Sequence, residues 1–134
     1  MMNRFPVWLA LPVVALLGAP VYAQAAAQTP LSAPIQVTGN SGGGQASSCG
    51  NIAANPNQQL RVTESFASLN IEVSGTGDYT LFITGPNGFS ECVLAHDFDG
   101  GNIQSPGVLN QGLYKIFVGD RNGASHPFRM TISQ

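Results

Sequence analysis

The chain has 134 residues, of which 9% are charged, and its formal net charge at pH 7 is −2. This length suits one domain, and the slight negative charge argues against nucleic acid or an anionic membrane surface as a partner, because both require a cationic surface. With few charged side chains, turns must supply the surface polarity, and the sixteen glycines favour an all-β fold.

The first 23 residues have the pattern of a secretory signal peptide. One cation, Arg4, precedes an apolar run over residues 5–18, and the small residues Val21 and Ala23 occupy the positions that a signal peptidase reads. We therefore predict cleavage after Ala23 and export to the periplasm or the medium. Because the apolar run is too short to span a bilayer comfortably, no membrane anchor is expected after cleavage.

Residues 24–48 form a lead that is rich in Ala, Gln, Gly and Ser. This composition buries little apolar surface, so we predict a mostly flexible segment with one short strand at Ile35, Gln36 and Val37. The glycine run at residues 42–44 lacks the Lys-Ser or Lys-Thr that would follow in a phosphate-binding loop.

Cys49 and Cys92 are the two cysteines of the chain. In an exported protein, such a pair suggests one disulfide, and the chain-entropy model assigns a bond closing this loop about 4 kcal/mol. The alternative is two free thiols, but no neighbouring residue would activate a thiolate.

From residue 58 onward, apolar residues recur with the period of β-strands. Six or seven short strands separated by turns predict a β-sandwich. The stretch from Gly85 to Gly88 is predicted as a hairpin turn with Pro86 and Asn87 at its corners, and residues 96–108 are predicted as a loop. The predicted inward residues are Leu60, Val62, Leu69, Ile71, Val73, Tyr79, Leu81, Ile83, Val93, Tyr114, Ile116, Val118, Phe128, Met130 and Ile132.

Several motifs in order resemble the bacterial pre-peptidase C-terminal domain: TLFITGPNG at residues 80–88, a cysteine, an acidic glycine-rich loop, GLYKIFVGD at 112–120 and HPFRMTIS at 126–133. The resemblance implies a jelly-roll-like antiparallel β-sandwich of about seven or eight strands over residues 49–134. Members of that family are usually appended to secreted hydrolases, where they assist secretion or bind collagen or polysaccharide, and some bind calcium. The resemblance therefore implies an exported, non-catalytic binding or accessory module that acts on a protein or a polysaccharide.

The loop at residues 96–102 is where the sequence directs the search for function. Asp97 and Asp99 are hard oxygen ligands beside glycines and are candidate calcium ligands, although Val108 stands where an EF-hand loop needs its Glu. They give the alternative function of a calcium-stabilised structural domain. A solvated acidic loop is the plainer interpretation. A hydrolase that uses His96 with Asp97 or Asp99 is a weaker alternative, because no nucleophile motif accompanies these residues, and we expect no enzyme.

Aromatic residues outside the predicted core are the other candidates for a binding surface. Phe82 and Phe117 fall on the strand faces opposite the core residues, and Phe98 lies in the acidic loop. An exposed patch of these rings would bind protein or polymer. Alternatively, loops or the lead segment cover the same face.

Overall fold

A computed structural model describes residues 26–134, which form two β-sheets packed face to face, as the all-β prediction requires. The predicted signal peptide lies outside the described residues. No helix within residues 26–134 has the length and apolar character needed to cross a membrane.

Eleven strands build the two sheets in the described part of the chain. The first sheet contains β1 (Ala27–Gln28), β3 (Gln45–Ser47), β4 (Gly50–Ile52), β5 (Gln58–Val62), β7 (Tyr79–Thr84), β8 (Ser90–Leu94) and β10 (Gly112–Asp120). The second sheet contains β2 (Ile35–Asn40), β6 (Ala67–Gly75), β9 (Ile103–Leu109) and β11 (Pro127–Ser133).

Strand β10 is the centre of the first sheet. Its first half pairs with β5, and its second half pairs with β7, beyond which lies β8. The two-residue strand β1 runs parallel to β5, whereas the remaining pairings are antiparallel. The second sheet has the order β2-β11-β6-β9.

The core lies between the sheets, where the period-two residues of both meet. Every predicted inward residue is buried except Val93, which is half-buried and packs against the core cluster. This alternation places apolar side chains inside and polar ones outside, as expected for a sandwich.

The short strand predicted at Ile35, Gln36 and Val37 is confirmed as the start of β2, but the prediction that the rest of the lead is flexible is wrong for the part of residues 24–48 that the structure describes. Strand β2 pairs with β11 along six residues, from Ile35 to Asn40, and Ile35 and Val37 pack against the core. The two alternating aliphatic residues are enough to form one strand face, even between Gly- and Ser-rich flanks. The domain therefore includes the described lead and does not begin at Cys49.

The prediction of a continuous loop over residues 96–108 is also wrong, because β9 begins at Ile103. Pro106 and Gly107 hide this strand in the sequence. Strand β9 lies at the edge of the second sheet, beside β6. Proline has no backbone N–H to donate, and an edge strand tolerates it because no strand on its open side needs that hydrogen bond.

Candidate binding site

Three loops at one end of the sandwich enclose an open groove of about 780 Å³. They are the β5–β6 loop, the β7–β8 hairpin turn and the β9–β10 loop. The lining residues are Phe66, Pro86, Asn87, Gly88, Phe89, Val108, Leu109, Asn110, Gln111 and Tyr114. The sequence predicts this hairpin turn, but none of the candidate binding residues that it suggests lies in the turn.

Phe66 is the most exposed large apolar side chain described, with 73% of its surface accessible, and it stands at this groove. Its backbone is in the left-handed region, with φ of 58°. For a bulky residue this conformation is an outlier that costs about 1–3 kcal/mol. Within residues 26–134, Asn87 is the other non-glycine residue with positive φ, and it lines the same groove.

The hairpin turn between β7 and β8 has its two corners at Asn87 and Gly88. Asn87 has φ of 57° and ψ of 34°, Gly88 has φ of 75°, and the Phe89 N–H donates to the Pro86 carbonyl at 3.1 Å. This is the geometry of a type I′ turn, whose twist matches that of the paired strands and which favours Asn-Gly. The predicted corners were therefore displaced by one residue.

Tyr114 forms part of the groove floor, where close contacts hold it. Its hydroxyl donates to the Asn110 carbonyl at 2.9 Å, and its ring meets that of Phe89 edge to face at 5.5 Å. Gly85 lies directly beneath the ring, because a Cβ there would stand 2.5 Å from Tyr114 Cδ1. Burial raises the pKa of the Tyr114 hydroxyl.

A second glycine contact fixes the hairpin above β10. Gly112 has φ of 145°, and a Cβ on it would lie 2.6 Å from Pro86 Cγ. Pro86 therefore packs directly on the backbone of the central strand. Together with Gly85 beneath Tyr114, this contact gives the groove a preformed shape.

The polar part of the groove consists of amides. Asn87, Asn110 and Gln111 are exposed, and Gln111 Nε2 donates to the Thr63 carbonyl at 2.8 Å. Among residues 26–134, none of those that line the groove is charged. The site thus presents rings and amides without a formal charge.

Glu64 is the acid nearest to Phe66 in sequence, and its carboxylate makes its hydrogen bonds outside the groove. The Glu64 carboxylate accepts hydrogen bonds from Gln134 at 2.6 Å, Thr29 at 3.0 Å and Thr63 at 3.1 Å. These hydrogen bonds, led by that from Gln134, lower the pKa of Glu64. The carboxylate thus links Thr29 to Gln134. It does not line the groove.

The weaker hydrolase alternative paired His96 with Asp97 or Asp99, and the structure does bring His96 and Asp97 together. His96 Nε2 lies 3.1 Å from Asp97 Oδ1, but His96 Nδ1 lies 2.8 Å from an Arg121 nitrogen. Because both ring nitrogens are engaged, neither is left to act as a base on a substrate. The geometry does not support a hydrolase at this position.

The candidate calcium ligands do not gather a third ligand. Asp97 and Asp99 are exposed, and within the described part of the chain no three His, Cys, Asp or Glu side chains are placed to hold a metal ion. Calcium binding by Asp97 and Asp99 stays a prediction.

A Ser-His-Asp cluster that the sequence did not suggest lies at the end of β10. Buried Asp120 accepts from His126 Nδ1 at 3.0 Å and from Ser41 Oγ at 3.4 Å. Ser41 Oγ in turn accepts from the His126 backbone N–H at 3.0 Å and does not meet the imidazole, so the cluster lacks the serine-to-imidazole contact of a catalytic triad. It joins the segment after β2 to the β10–β11 turn.

The interpretation of Phe82, Phe98 and Phe117 as an exposed binding patch is wrong for Phe117, which is only 7% accessible. Phe82 and Phe98 are half-buried, and Phe98 packs against the core. The β3–β4 hairpin crosses this outer face, since a Cβ on Gly119 would lie 2.8 Å from the Asn51 carbonyl oxygen. Strand β4, which directly follows the predicted lead, thus covers part of this face in cis.

The predicted disulfide is confirmed. Cys49 and Cys92 are bonded, with Cα atoms 5.7 Å apart, and no free cysteine is present in the described residues. The bond ties the β3–β4 hairpin to β8, next to Phe82 in the neighbouring strand. Thr80 Oγ1 donates to the Cys49 carbonyl at 2.6 Å and holds the same crossing.

Comparison with known proteins finds a relative that aligns with almost the whole chain. An uncharacterized protein of Synechococcus elongatus is 38% identical over 135 aligned positions, which cover 97% of this chain and 98% of that protein. No family model matches the sequence, so the pre-peptidase C-terminal resemblance stays untested. Among solved structures, Salmonella Typhimurium PliG, a periplasmic lysozyme inhibitor of g-type lysozyme, matches with a TM-score of 0.41 and 14% identity over 80% of this chain and 95% of that chain. A TM-score this low supports no functional inference. The chain belongs to the same family as the Synechococcus elongatus protein.

Proposed function

We propose that this protein is an exported, non-catalytic binding module whose partner engages the groove at Phe66. The observation that carries the proposal is the state of Phe66 itself, which is both 73% accessible and held at positive φ. Each property costs stability or solubility, and neither contributes to the core.

Backbone strain at an exposed aromatic residue is typical of binding sites. Strained non-glycine residues persist where the surrounding structure holds them, and they concentrate at ligand-binding positions. Exposed aromatic rings are also frequent energetic centres of interfaces. Val108, 59% accessible, lines the same groove as Phe66, so the two large exposed apolar side chains of the described residues lie at one site.

The disulfide supports export. Disulfides persist in oxidising compartments and are rare in the cytosol. The Cys49–Cys92 bond therefore accords with the secretory signal predicted over residues 1–23. A non-catalytic role accords with the engaged nitrogens of His96 and with the position of Ser41, which meets Asp120 and not the His126 ring.

The test is partner capture with matched variants. Immobilised wild-type protein and the Phe66→Gly variant are exposed to envelope and medium fractions, with Gln36→Ala on the exposed face of β2 as the control. We expect a partner that the wild type and Gln36→Ala retain and that Phe66→Gly loses. A partner retained equally by all three proteins would contradict binding at the groove, and no retained partner would contradict the binding function.

A further inference from the structure

We infer that the groove binds a neutral glycan chain, an inference that rests on the proposed function and specifies its ligand. The ligand class follows from three features of the groove: its lack of charge, its combination of rings with amides, and its small size.

The lack of charge selects the class of ligand. None of the described lining residues is charged, and Glu64, the nearest acid in sequence, is bonded to Gln134, Thr29 and Thr63. A charged ligand entering this groove would lose hydration without gaining an ion pair, which is unfavourable. A neutral ligand carries no such penalty.

The chemistry of the lining matches a ligand that is apolar on its faces and hydroxylated at its edges. The ring of Phe66 is open to solvent and offers a flat apolar surface. The Asn87 and Asn110 amides, each with donors and an acceptor, are exposed beside it. Sugar rings have this character, since their C–H groups pack on an aromatic face while their hydroxyls pair with amides.

The small size of the groove favours a ligand smaller than a protein. Stable protein interfaces bury about 800 Å² on each side and involve about 20–30 residues of each partner. Ten residues line the groove. A groove of about 780 Å³ falls in the range of about 300–1,000 Å³ that is usual for small-molecule sites, so it suits a few sugar units.

The experiment uses an array of neutral and acidic oligosaccharides, followed by calorimetry with the neutral oligosaccharide that gives the strongest signal. We compare the wild type with Phe66→Tyr, which retains a ring, and with Phe66→Leu, which retains only apolar character. Gln36→Ala is the control outside the groove. We expect binding to neutral glycans, a Kd within about threefold of wild type for Phe66→Tyr and Gln36→Ala, and a Kd at least tenfold weaker for Phe66→Leu.

Three results would overturn the glycan inference: no signal from any neutral glycan, a preference for acidic glycans, or equal affinity of the wild type and Phe66→Leu. These failures are distinguishable from failure of the proposed function. If a protein is captured only when Phe66 is intact and no glycan gives a signal, the glycan inference is refuted and the proposed binding function stands. If neither a protein nor a glycan binds, both the inference and the proposed function are refuted.

Discussion

Phe66 and Asn87 line the same groove from different loops, and both have positive φ, 58° and 57°. Asn87 is suited to its conformation, because Asn-Gly is the preferred corner pair of a type I′ turn. Phe66 is not suited to its own, because a left-handed backbone crowds the Cβ of a bulky residue. Because the strain at Phe66 does not stabilise the fold, we attribute it to the binding role of this residue.

The first prediction separates the role of Phe66 in stability from its role in binding. Glycine adopts positive φ without strain, so Phe66→Gly should be more stable than Phe66→Ala by about 1 kcal/mol. Because the ring is 73% accessible, little packing is lost on its removal. Denaturant unfolding of the two variants measures the difference, and Phe66→Gly being clearly the less stable variant would contradict a strained backbone at position 66.

The second prediction concerns the contact between Gly112 and Pro86. An alanine at position 112 would be strained at φ of 145° and would place its Cβ 2.6 Å from Pro86 Cγ. We expect Gly112→Ala to lower the free energy of unfolding by about 1–3 kcal/mol. The matched control is Gly107→Ala in β9, where a Cβ meets no atom within 4 Å, and which should change stability by less than about 1 kcal/mol. Equal effects of the two substitutions would refute the contact.

The third prediction concerns the disulfide. The Cys49–Cys92 bond joins residues separated by 43 positions and anchors the β3–β4 hairpin over the outer face. Replacing both cysteines with Ser should cost about 2–5 kcal/mol. The denaturation midpoint of the double variant should fall and should no longer respond to reductant, whereas that of the wild type should. A free-thiol titration that finds two thiols in the unreduced protein would contradict the bond.

The fourth prediction concerns acid stability at Asp120. Burial alone would raise the pKa of Asp120, but hydrogen bonds from His126 and from the Asn122 and Ala124 N–H groups outweigh it and lower the pKa. The unfolded chain has the ordinary, higher pKa, so the ionised carboxylate contributes stability that is complete above about pH 4 to 5 and is lost as the pH falls toward the folded-state pKa.

The measurement compares unfolding free energies of the wild type and Asp120→Asn between about pH 6 and pH 3. The advantage of the wild type should shrink as the pH falls. Glu64, whose pKa is also lowered, contributes a loss of the same sign that both proteins share. A difference that is constant over this range would contradict the assignment to Asp120.

Period-two alternation made much of the fold predictable. Residues such as Leu81 and Ile116 alternate with polar or outward neighbours, and their inward faces are buried as expected. Strand β9 escaped prediction because Pro106 and Gly107 are signals of a loop unless an edge position is known in advance. Strand β2 was predicted only over residues 35–37, and its full length to Asn40 escaped because Thr38, Gly39 and Asn40 add no aliphatic residue to the alternation.

The candidate site was much less predictable than the core. In the sequence, Phe66 comes shortly after the alternating residues of a predicted strand. The residues around it do not reveal whether its ring is exposed and its backbone strained or whether it is buried. Asn87-Gly88 signals a hairpin turn, but a turn signal does not reveal which other loops share its end of the sandwich. Conversely, Asp97 and Asp99 form a conspicuous sequence pattern that gathers no third ligand among the described residues.

The central claim is that partners engage the groove and not the acidic loop at residues 96–102. The most direct measurement is the affinity of a captured partner, or of a neutral glycan, for Phe66→Gly and for Asp97→Ala combined with Asp99→Ala. We predict that the first variant loses at least tenfold in affinity and that the second binds as the wild type does. Loss of binding in the aspartate variant with full binding by Phe66→Gly would contradict the claim.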